Sequence, residues 1–144
     1  MSDPFVDTDV LIRLLAKDDL KKQAEAAALF ESVEAGEMTL VAPDTVIADA
    51  VYVLSSPRLY SQARADVAAM LSRLLRLPGF KVENRAAVLR ALALYASTKL
   101  DFGDALLVAS MEQRGSDILY SYDTDFDRLP TVTRRSPGAA LPTE

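Results

Sequence analysis

The sequence contains no cysteine, no histidine and no tryptophan among its 144 residues. Without cysteine there is no disulfide and no thiol nucleophile, and without cysteine and histidine there is no Cys/His zinc site. The absence of histidine also excludes a Ser-His-Asp triad and proton transfer by an imidazole. If the chain is an enzyme, its chemistry therefore depends on carboxylates, hydroxyl groups, lysine or arginine, and bound metal.

The chain also lacks long apolar runs and an excess of positive charge. No apolar run approaches the ~20 residues that a membrane-spanning helix needs. The first residues, MSDPFVDTDV, show no basic region before an apolar stretch, so we expect a cytoplasmic protein with no membrane association. The 21 acidic residues exceed the 16 basic ones and give a net charge of -5. This balance argues against bulk positive charge as the means of binding nucleic acid, but it permits an acidic pocket with a local basic rim.

The remaining composition is that of an ordinary globular protein. Hydrophobic residues make up 50 % of the chain and charged residues 26 %, whereas disordered chains are poorer in hydrophobic residues. A length of 144 residues suits one domain, because most domains have roughly 100–150 residues. We predict one domain over residues 1–135 and a loose C-terminal tail over 136–144.

Short apolar runs alternate with segments of helical periodicity along the domain. The predicted strands are 5–6, 38–42, 80–83, 118–122 and a last short one at Val132. The predicted helices are 10–16, 20–35, one opened by 43–45 that runs to 54, 59–77, 85–97 with Asn84 as its cap, and about 101–114. This alternation predicts an α/β fold with a parallel sheet and helices on both faces.

Four acidic residues stand where strands end or where the neighbouring residues are apolar. Asp7 and Asp123 follow predicted strands, and ligands of parallel α/β sheets bind outside the carboxyl ends of the strands, so both acids are expected to point into one crevice. Asp49 and Asp104 lie within the apolar segments TVIADAVYVL and LDFGDALLVAS. Burying an unpaired carboxylate is costly, so each requires a helix N-terminus, a basic side chain or a cation nearby.

Most of these acids also have a structural explanation. Asp104 can lie in the first turn of a helix, where the macrodipole contributes ~0.3–1 kcal/mol, and Asp101 can be the N-cap of that helix. Asp9 is expected to cap the first helix. Asp123 can form a turn with Asp125 before a short helix.

Asp49 is the hardest acid to explain structurally, because it is predicted in the middle of a helix with apolar neighbours. Two carboxylates about 4 Å apart repel each other by roughly 4 kcal/mol at an effective dielectric of 20. A hard divalent cation removes this penalty, and ligands that offer only oxygen suit Mg²⁺ or Mn²⁺. A water activated at such a site can attack a phosphodiester without help from histidine. The acids together therefore favour a metal site.

Four segments in this order resemble the acidic motifs of the PIN-domain nucleases, most of all the VapC-type ribonuclease toxins of bacterial toxin–antitoxin pairs. The segments are FVDTDVLI, TVIADAVYVL, LDFGDALLVAS and SYDTDFDRLP, and they span about residues 5–130. The resemblance implies an α/β/α sandwich with a short-stranded, mainly parallel central sheet. It implies a Mg²⁺- or Mn²⁺-dependent endoribonuclease in which Asp7, Asp49, Asp104 and Asp123 surround the metal. It also implies a homodimer and a cognate antitoxin that blocks the active site.

The chain departs from the family pattern at three positions. The second acid is usually Glu, and here it is the shorter Asp49. Asp9 stands where the family commonly has Asn, and Ser121 stands where it usually has Thr. We therefore treat Asp9, Asp101, Ser121 and Asp125 as secondary candidates for the site.

An RNA substrate requires basic side chains near the acids. The main candidates are Arg13, Lys17 and Arg58, and the further ones are Lys21, Lys22, Arg64 and Lys99. Arg13 is favoured because it lies one helical turn beyond Asp9. The apolar stretch 59–77 is expected to be core and is long enough for a dimer seam or a partner helix, which Tyr52, Tyr60 and Met70 would line.

Two alternative functions remain open at this point. FVDTDV also fits the Asp-x-Asp start of haloacid-dehalogenase-like phosphatases, in which Lys99 and Asp101 or Asp104 would supply the later motif. Such an enzyme would leave Asp49 unexplained. The other alternative is a PIN-like binding module whose catalysis was weakened by Asp49 and Asp9.

Overall fold

The computed structural model describes residues 2–138, which form six α-helices, one 3-10 helix and four strands. In chain order they are α1 (Thr8–Ala16), α2 (Leu20–Glu34), β1 (Leu40–Ala42), α3 (Asp44–Ser55), α4 (Arg64–Leu75), β2 (Phe80–Val82), α5 (Arg85–Ser97), α6 (Phe102–Arg114), β3 (Ile118–Tyr120), the 3-10 helix (Thr124–Arg128) and β4 (Thr133–Arg135). The predicted alternation of strands and helices is confirmed.

The strands are short and pair in parallel. β1 pairs with β2, and β3 pairs with β4. The chain before the first acid adds one parallel bridge, in which the Val6 N–H donates to the Val41 carbonyl at 3.1 Å. The α/β class and the parallel strands are therefore confirmed. The hydrogen bonds divide the predicted central sheet into two small sheets, and each strand has only three residues.

Local signals set most helix boundaries. The Asp101 carboxylate accepts a hydrogen bond from the Asp104 N–H at 2.8 Å, so Asp101 caps α6 as predicted. Gly115 ends the same helix with φ of 69°, a conformation that costs glycine little. Asn84 occupies the N-cap position of α5, but its own φ is 57° and its side chain donates to Asp44 at 3.3 Å. The predicted side-chain cap at Asn84 is therefore wrong.

The predicted helix 59–77 begins later than its apolar pattern indicates. α4 starts at Arg64, because residues 57–60 form a turn and Ser61 adopts φ of 50°. The Ser61 N–H donates to the Ser56 carbonyl at 2.9 Å, which closes this turn. Of the remaining apolar residues of the pattern, Val67, Leu71 and Leu75 are fully buried in the core, whereas Ala63 is exposed.

The core lies between the helices and the β1–β2 pair. The Phe30 and Phe80 rings meet edge to face with centroids 5.4 Å apart. Ile47 and Leu54 of α3 are fully buried against this cluster, and each such side chain contributes roughly 1.5–3 kcal/mol. This packing fixes the buried side of α3 and leaves its opposite side for the site.

No helix within residues 2–138 is long and apolar enough to cross a membrane. The predicted tail over 136–144 lies mostly outside the described residues and stays a prediction.

Candidate active site

The first acid lies where the N-terminal segment enters α1. Asp7 is exposed and is the N-cap of this helix, and its carboxylate accepts a hydrogen bond from the Thr8 N–H at 2.7 Å. Asp9 lies inside the first turn of α1, so the prediction that Asp9 is the cap is wrong. The helix begins two residues before Val10 because the Asp7 carboxylate takes the capping position.

The second acid is exposed, contrary to the sequence interpretation. α3 buries the stripe formed by Ile47, Ala50, Val51 and Leu54, and Asp49 lies on the opposite side of the helix. The apolar residues next to Asp49 in the sequence therefore face the core while its own carboxylate faces solvent. No buried unpaired charge has to be explained at this position.

Asp7 and Asp49 line one cavity between α1, α3 and the connection from α3 to α4. The cavity has a volume of about 560 Å³. Its lining residues are Asp7, Thr8, Asp9, Ile12, Arg13, Asp49, Tyr52, Val53, Leu59 and Tyr60. We call it the α1–α3 cavity. The structure thus brings together the first two predicted acids, the secondary candidate Asp9 and the favoured cation Arg13.

The third acid lies among other carboxylates at the start of α6. Asp104 is half-buried in the first turn of this helix. Burial raises the pKa of Asp104, and the negative charges of Asp101, Asp123 and Asp125 raise it further. The structure therefore places the third and fourth predicted acids in one electrostatic environment with two of the secondary candidates.

The fourth acid is held in a tight turn after β3. Asp123 is the N-cap of the 3-10 helix and accepts a hydrogen bond from the Asp125 N–H at 2.9 Å. Its own N–H donates to the Ser121 hydroxyl at 3.0 Å, which gives Ser121 a structural role beside the acid. Asp123 therefore belongs to the turn that the structural explanation predicted, and its carboxylate charge also acts on Asp104.

Arg134 of β4 stabilises this turn. Its Nη1 donates to the Ser121 carbonyl at 2.9 Å, and its Nε and Nη2 donate to the Asp127 carboxylate at 2.8 and 3.2 Å. The Asp127 hydrogen bond is the first cause that raises the pKa of Arg134, and the charge of Asp123 contributes. Arg134 could not be predicted from the sequence, because nothing in the local pattern distinguishes it from its neighbour Arg135.

Arg64 holds the segment that leads into α6. Its Nε donates to the Tyr95 carbonyl at 2.9 Å, and its Nη2 donates to the Leu100 carbonyl. Its guanidinium carbon lies 3.7 Å from the centre of the Tyr95 ring, which meets the Phe102 ring edge to face. Arg64 was predicted to contact RNA, but its guanidinium is committed to the backbone just before the third acid.

The three main predicted RNA contacts differ in whether they line a cavity with the acids. Arg13 lines the α1–α3 cavity, where its Nη1 donates to both carboxylate oxygens of Asp18 at 3.2 Å. Arg58 is exposed and lines an adjoining cavity with Tyr52. Lys17 is exposed at the C-cap of α1, with φ of 59°. Of the three, only Arg13 shares a cavity with the acids.

A tyrosine completes the network around Arg13. The Tyr60 hydroxyl donates to Asp18 at 2.6 Å. This hydrogen bond is the main cause that lowers the pKa of Asp18, and the Arg13 hydrogen bond and charge add to it. Asp18 therefore ties the loop before α4 to the end of α1.

The side chains present fit a hard divalent cation in their chemistry. All four predicted ligands offer carboxylate oxygen, and the negative charge gathered around Asp104 is what a cation would offset. Over residues 2–138, however, no group of three or more acidic side chains is arranged to hold a metal ion. The structure groups the acids as Asp7 with Asp49 and as Asp104 with Asp123, and their convergence on one ion stays a prediction.

The sequence matches the model of the PIN domain over residues 5–132. The chain belongs to the PIN-domain family. This membership confirms the resemblance to the PIN-domain family, whereas the likeness to VapC-type toxins stays a prediction. PIN domains are typically metal-dependent nucleases. The membership favours a nuclease over a haloacid-dehalogenase-like phosphatase. No curated protein matches the chain.

Proposed function

We propose that this PIN-domain protein is a Mg²⁺- or Mn²⁺-dependent endoribonuclease and the toxin of a toxin–antitoxin pair. The observation that carries the nuclease activity is the environment of Asp104. Its carboxylate is half-buried, and three neighbouring carboxylates raise its pKa. Groups with such perturbed proton affinity concentrate at functional sites.

The ion would be held by Asp7, Asp49, Asp104 and Asp123. When bound, it supplies stabilisation of the negative charge that develops on the phosphate, and it lowers the pKa of a coordinated water. Burial and the neighbouring carboxylates raise the pKa of Asp104, which favours its carboxylate oxygen as the acceptor of a proton from the attacking water. Asp101 holds the backbone of Asp104 in place through its cap.

The proposed partners follow from the same charges. RNA approaches an acidic site, and Arg13 in the α1–α3 cavity provides the positive charge for a phosphate. An antitoxin that inserts a basic side chain among the acids would occupy the place of the cation and block the site. We also propose a homodimer and a cytoplasmic location, where the RNA substrate and the antitoxin are found.

The nuclease proposal is tested with Asp7→Asn and Asp104→Asn. Both variants are expected to lose RNA cleavage and to keep their fold, since removing one of several like charges does not destabilise the protein. EDTA should stop cleavage by the parent, and Mn²⁺ should restore it. Asp117→Asn is a matched control, because Asp117 is exposed on the loop before β3. Parental cleavage by either site variant would show that the site is misassigned.

The toxin role needs a separate test in cells. Expression of the parent alone is expected to arrest growth and degrade RNA, and coexpression with the neighbouring open reading frame should restore growth. Asp104→Asn expressed alone should be harmless. Growth arrest that Asp104→Asn reproduces would reject a toxin that acts through cleavage.

A second candidate is a PIN-like binding module with weakened catalysis. It is favoured by the shorter acid at Asp49 and by the absence of a three-acid group within the described residues. Calorimetric titration with Mn²⁺ distinguishes the two candidates. An absence of binding together with an absence of cleavage would support the binding module.

A further inference from the structure

We propose that the α1–α3 cavity binds one unpaired nucleotide of the RNA, with its base stacked on Tyr52 and its phosphate held by Arg13. This inference rests on the proposed ribonuclease function and names the part of the substrate that the cavity recognises. It differs from the acid site itself, because the groups involved are an aromatic ring and a guanidinium.

The cavity presents large side chains to solvent beside three carboxylates, those of Asp7, Asp9 and Asp49. Tyr52 is 72 % exposed and Leu59 is 57 % exposed, although leucine is most often buried and tyrosine is intermediate. Tyr52 follows Asp49 by three residues on α3, and residues at this spacing lie on one side of a helix. The Tyr52 ring therefore lies about one helical turn from Asp49, which we propose as a ligand of the metal ion.

The wall opposite α3 is preorganised. Tyr60 donates to Asp18 at 2.6 Å, and Arg13 Nη1 donates to the same carboxylate at 3.2 Å. Within residues 2–138 the Arg13 Nε and Nη2 make no hydrogen bond, so both remain available to a phosphate. Asp18 thus holds the guanidinium in position at the cavity without using all of its donors.

The size and chemistry of the cavity suit a nucleotide. A volume of about 560 Å³ falls in the range of small-molecule sites. Unpaired bases stack on aromatic side chains, whereas bases within a duplex are already stacked on their neighbours. Arg58 lies beside Tyr52 in the adjoining cavity, where it can meet the next phosphate of the same strand. An unpaired segment of RNA can therefore contact the Tyr52 ring, Arg13 and Arg58 at the same time.

The test measures binding of a short single-stranded RNA by fluorescence anisotropy, in an Asp104→Asn background that prevents cleavage. Tyr52→Ala is expected to weaken binding about 5- to 100-fold, which is the range for loss of one stacked base. Tyr52→Phe keeps the ring and should change the affinity less than about twofold. Leu20→Ala removes an equally exposed side chain (78 %) outside the cavity and should leave the affinity unchanged.

An abasic substitution moved along the RNA identifies the contact directly. At one position it should weaken binding to the Asp104→Asn protein but have no further effect when Tyr52→Ala is also present. The proposal would be overturned if the abasic substitution and Tyr52→Ala weakened binding additively at every position of the RNA. It would also be overturned if duplex RNA bound as tightly as single-stranded RNA and its binding also depended on Tyr52. It would also be overturned if Tyr52→Ala changed only the oligomeric state in sedimentation, because the ring would then belong to a protein interface. Coupling between Tyr52 and one base, found in a parent that does not cleave RNA with Mn²⁺, would support the subsite and reject the nuclease.

Discussion

Replacement of Arg64 by alanine is expected to destabilise the fold and to reduce catalysis together. The Arg64 guanidinium makes hydrogen bonds to the Tyr95 and Leu100 carbonyls and stacks on the Tyr95 ring. Each hydrogen bond contributes about 1 kcal/mol, and the cation–π contact contributes about another 1 kcal/mol. The expected loss is therefore about 2–4 kcal/mol of unfolding free energy, or roughly 10 °C in Tm for a domain of this size.

The catalytic effect follows from where these carbonyls lie. Leu100 immediately precedes Asp101, whose cap fixes the backbone of Asp104. Loosening this segment should misplace the third acid, so kcat for RNA cleavage should fall more than KM rises. Arg64→Lys keeps the charge but cannot reach both carbonyls from one ammonium, so we expect about half the loss of stability and a partial rescue of kcat.

Urea denaturation and steady-state cleavage of one RNA measure the two effects. Arg73→Ala is the control, because Arg73 is exposed in the last turn of the same helix, where its charge is worth no more than about 1 kcal/mol. If Arg64→Ala were as stable as Arg73→Ala, the contacts of Arg64 would not hold the segment. If it were destabilised but kept the parental kcat, Arg64 would be structural only.

Substitutions at Asp104, Tyr60 and Asp49 are expected to change pH-dependent stability or metal-dependent cleavage. Asp104→Asn is expected to stabilise the metal-free protein at pH 7, because the pKa of Asp104 in the folded state lies above the ordinary 3.8. The gain in unfolding free energy should shrink as pH falls through this raised pKa. A gain that instead grows with acid in urea denaturation would contradict this prediction. Tyr60→Phe removes the main cause of the lowered pKa of Asp18, so an NMR titration should show the pKa of Asp18 returning toward 3.8. In the parent, Asp18 adds stability above pH 3.8, and this stability is lost as pH falls through the lowered pKa. The Tyr60→Phe variant should show a smaller contribution of this kind. Asp49→Glu restores the length of the usual second acid and should keep or raise Mn²⁺-dependent cleavage, and an inactive Glu variant would count against Asp49 as that acid.

Most of the fold could be predicted because its boundaries are set by residues close in the sequence. The start of α6 depends on the side chain of Asp101 and its end on Gly115. The start of α4 at Arg64 could not be predicted from residues close in the sequence. Apolar residues continue the helical spacing back to Leu59, but Leu59 is 57 % exposed and lines the α1–α3 cavity. Helical periodicity of apolar residues predicts one face of a helix, but it does not show whether a given residue packs in the core or lines a cavity.

The position of Asp49 shows the same limit for charge. Its sequence neighbours are apolar, so the sequence indicates a buried carboxylate that needs a cation. Successive residues of a helix point about 100° apart, however, and Ala48 and Ala50 do not share its surroundings. Asp49 is exposed while Ala50 is fully buried. We therefore propose Asp49 for the site because it shares a cavity with Asp7, and not because burial requires a partner.

The contacts that Arg64 and Arg134 make could not be predicted from the sequence. Arg64 reaches carbonyls that are 31 and 36 residues away, and Arg134 reaches one 13 residues away. Every residue carries a carbonyl, so no residue type marks the one that a guanidinium will contact. Acids in apolar segments are rare enough to indicate a site. The backbone carbonyls through which the arginines position those acids occur in every residue, so the sequence does not distinguish them. Substitution of Arg64 or Arg134 should therefore reveal how much of the activity depends on the geometry of the acids and how much on their presence alone.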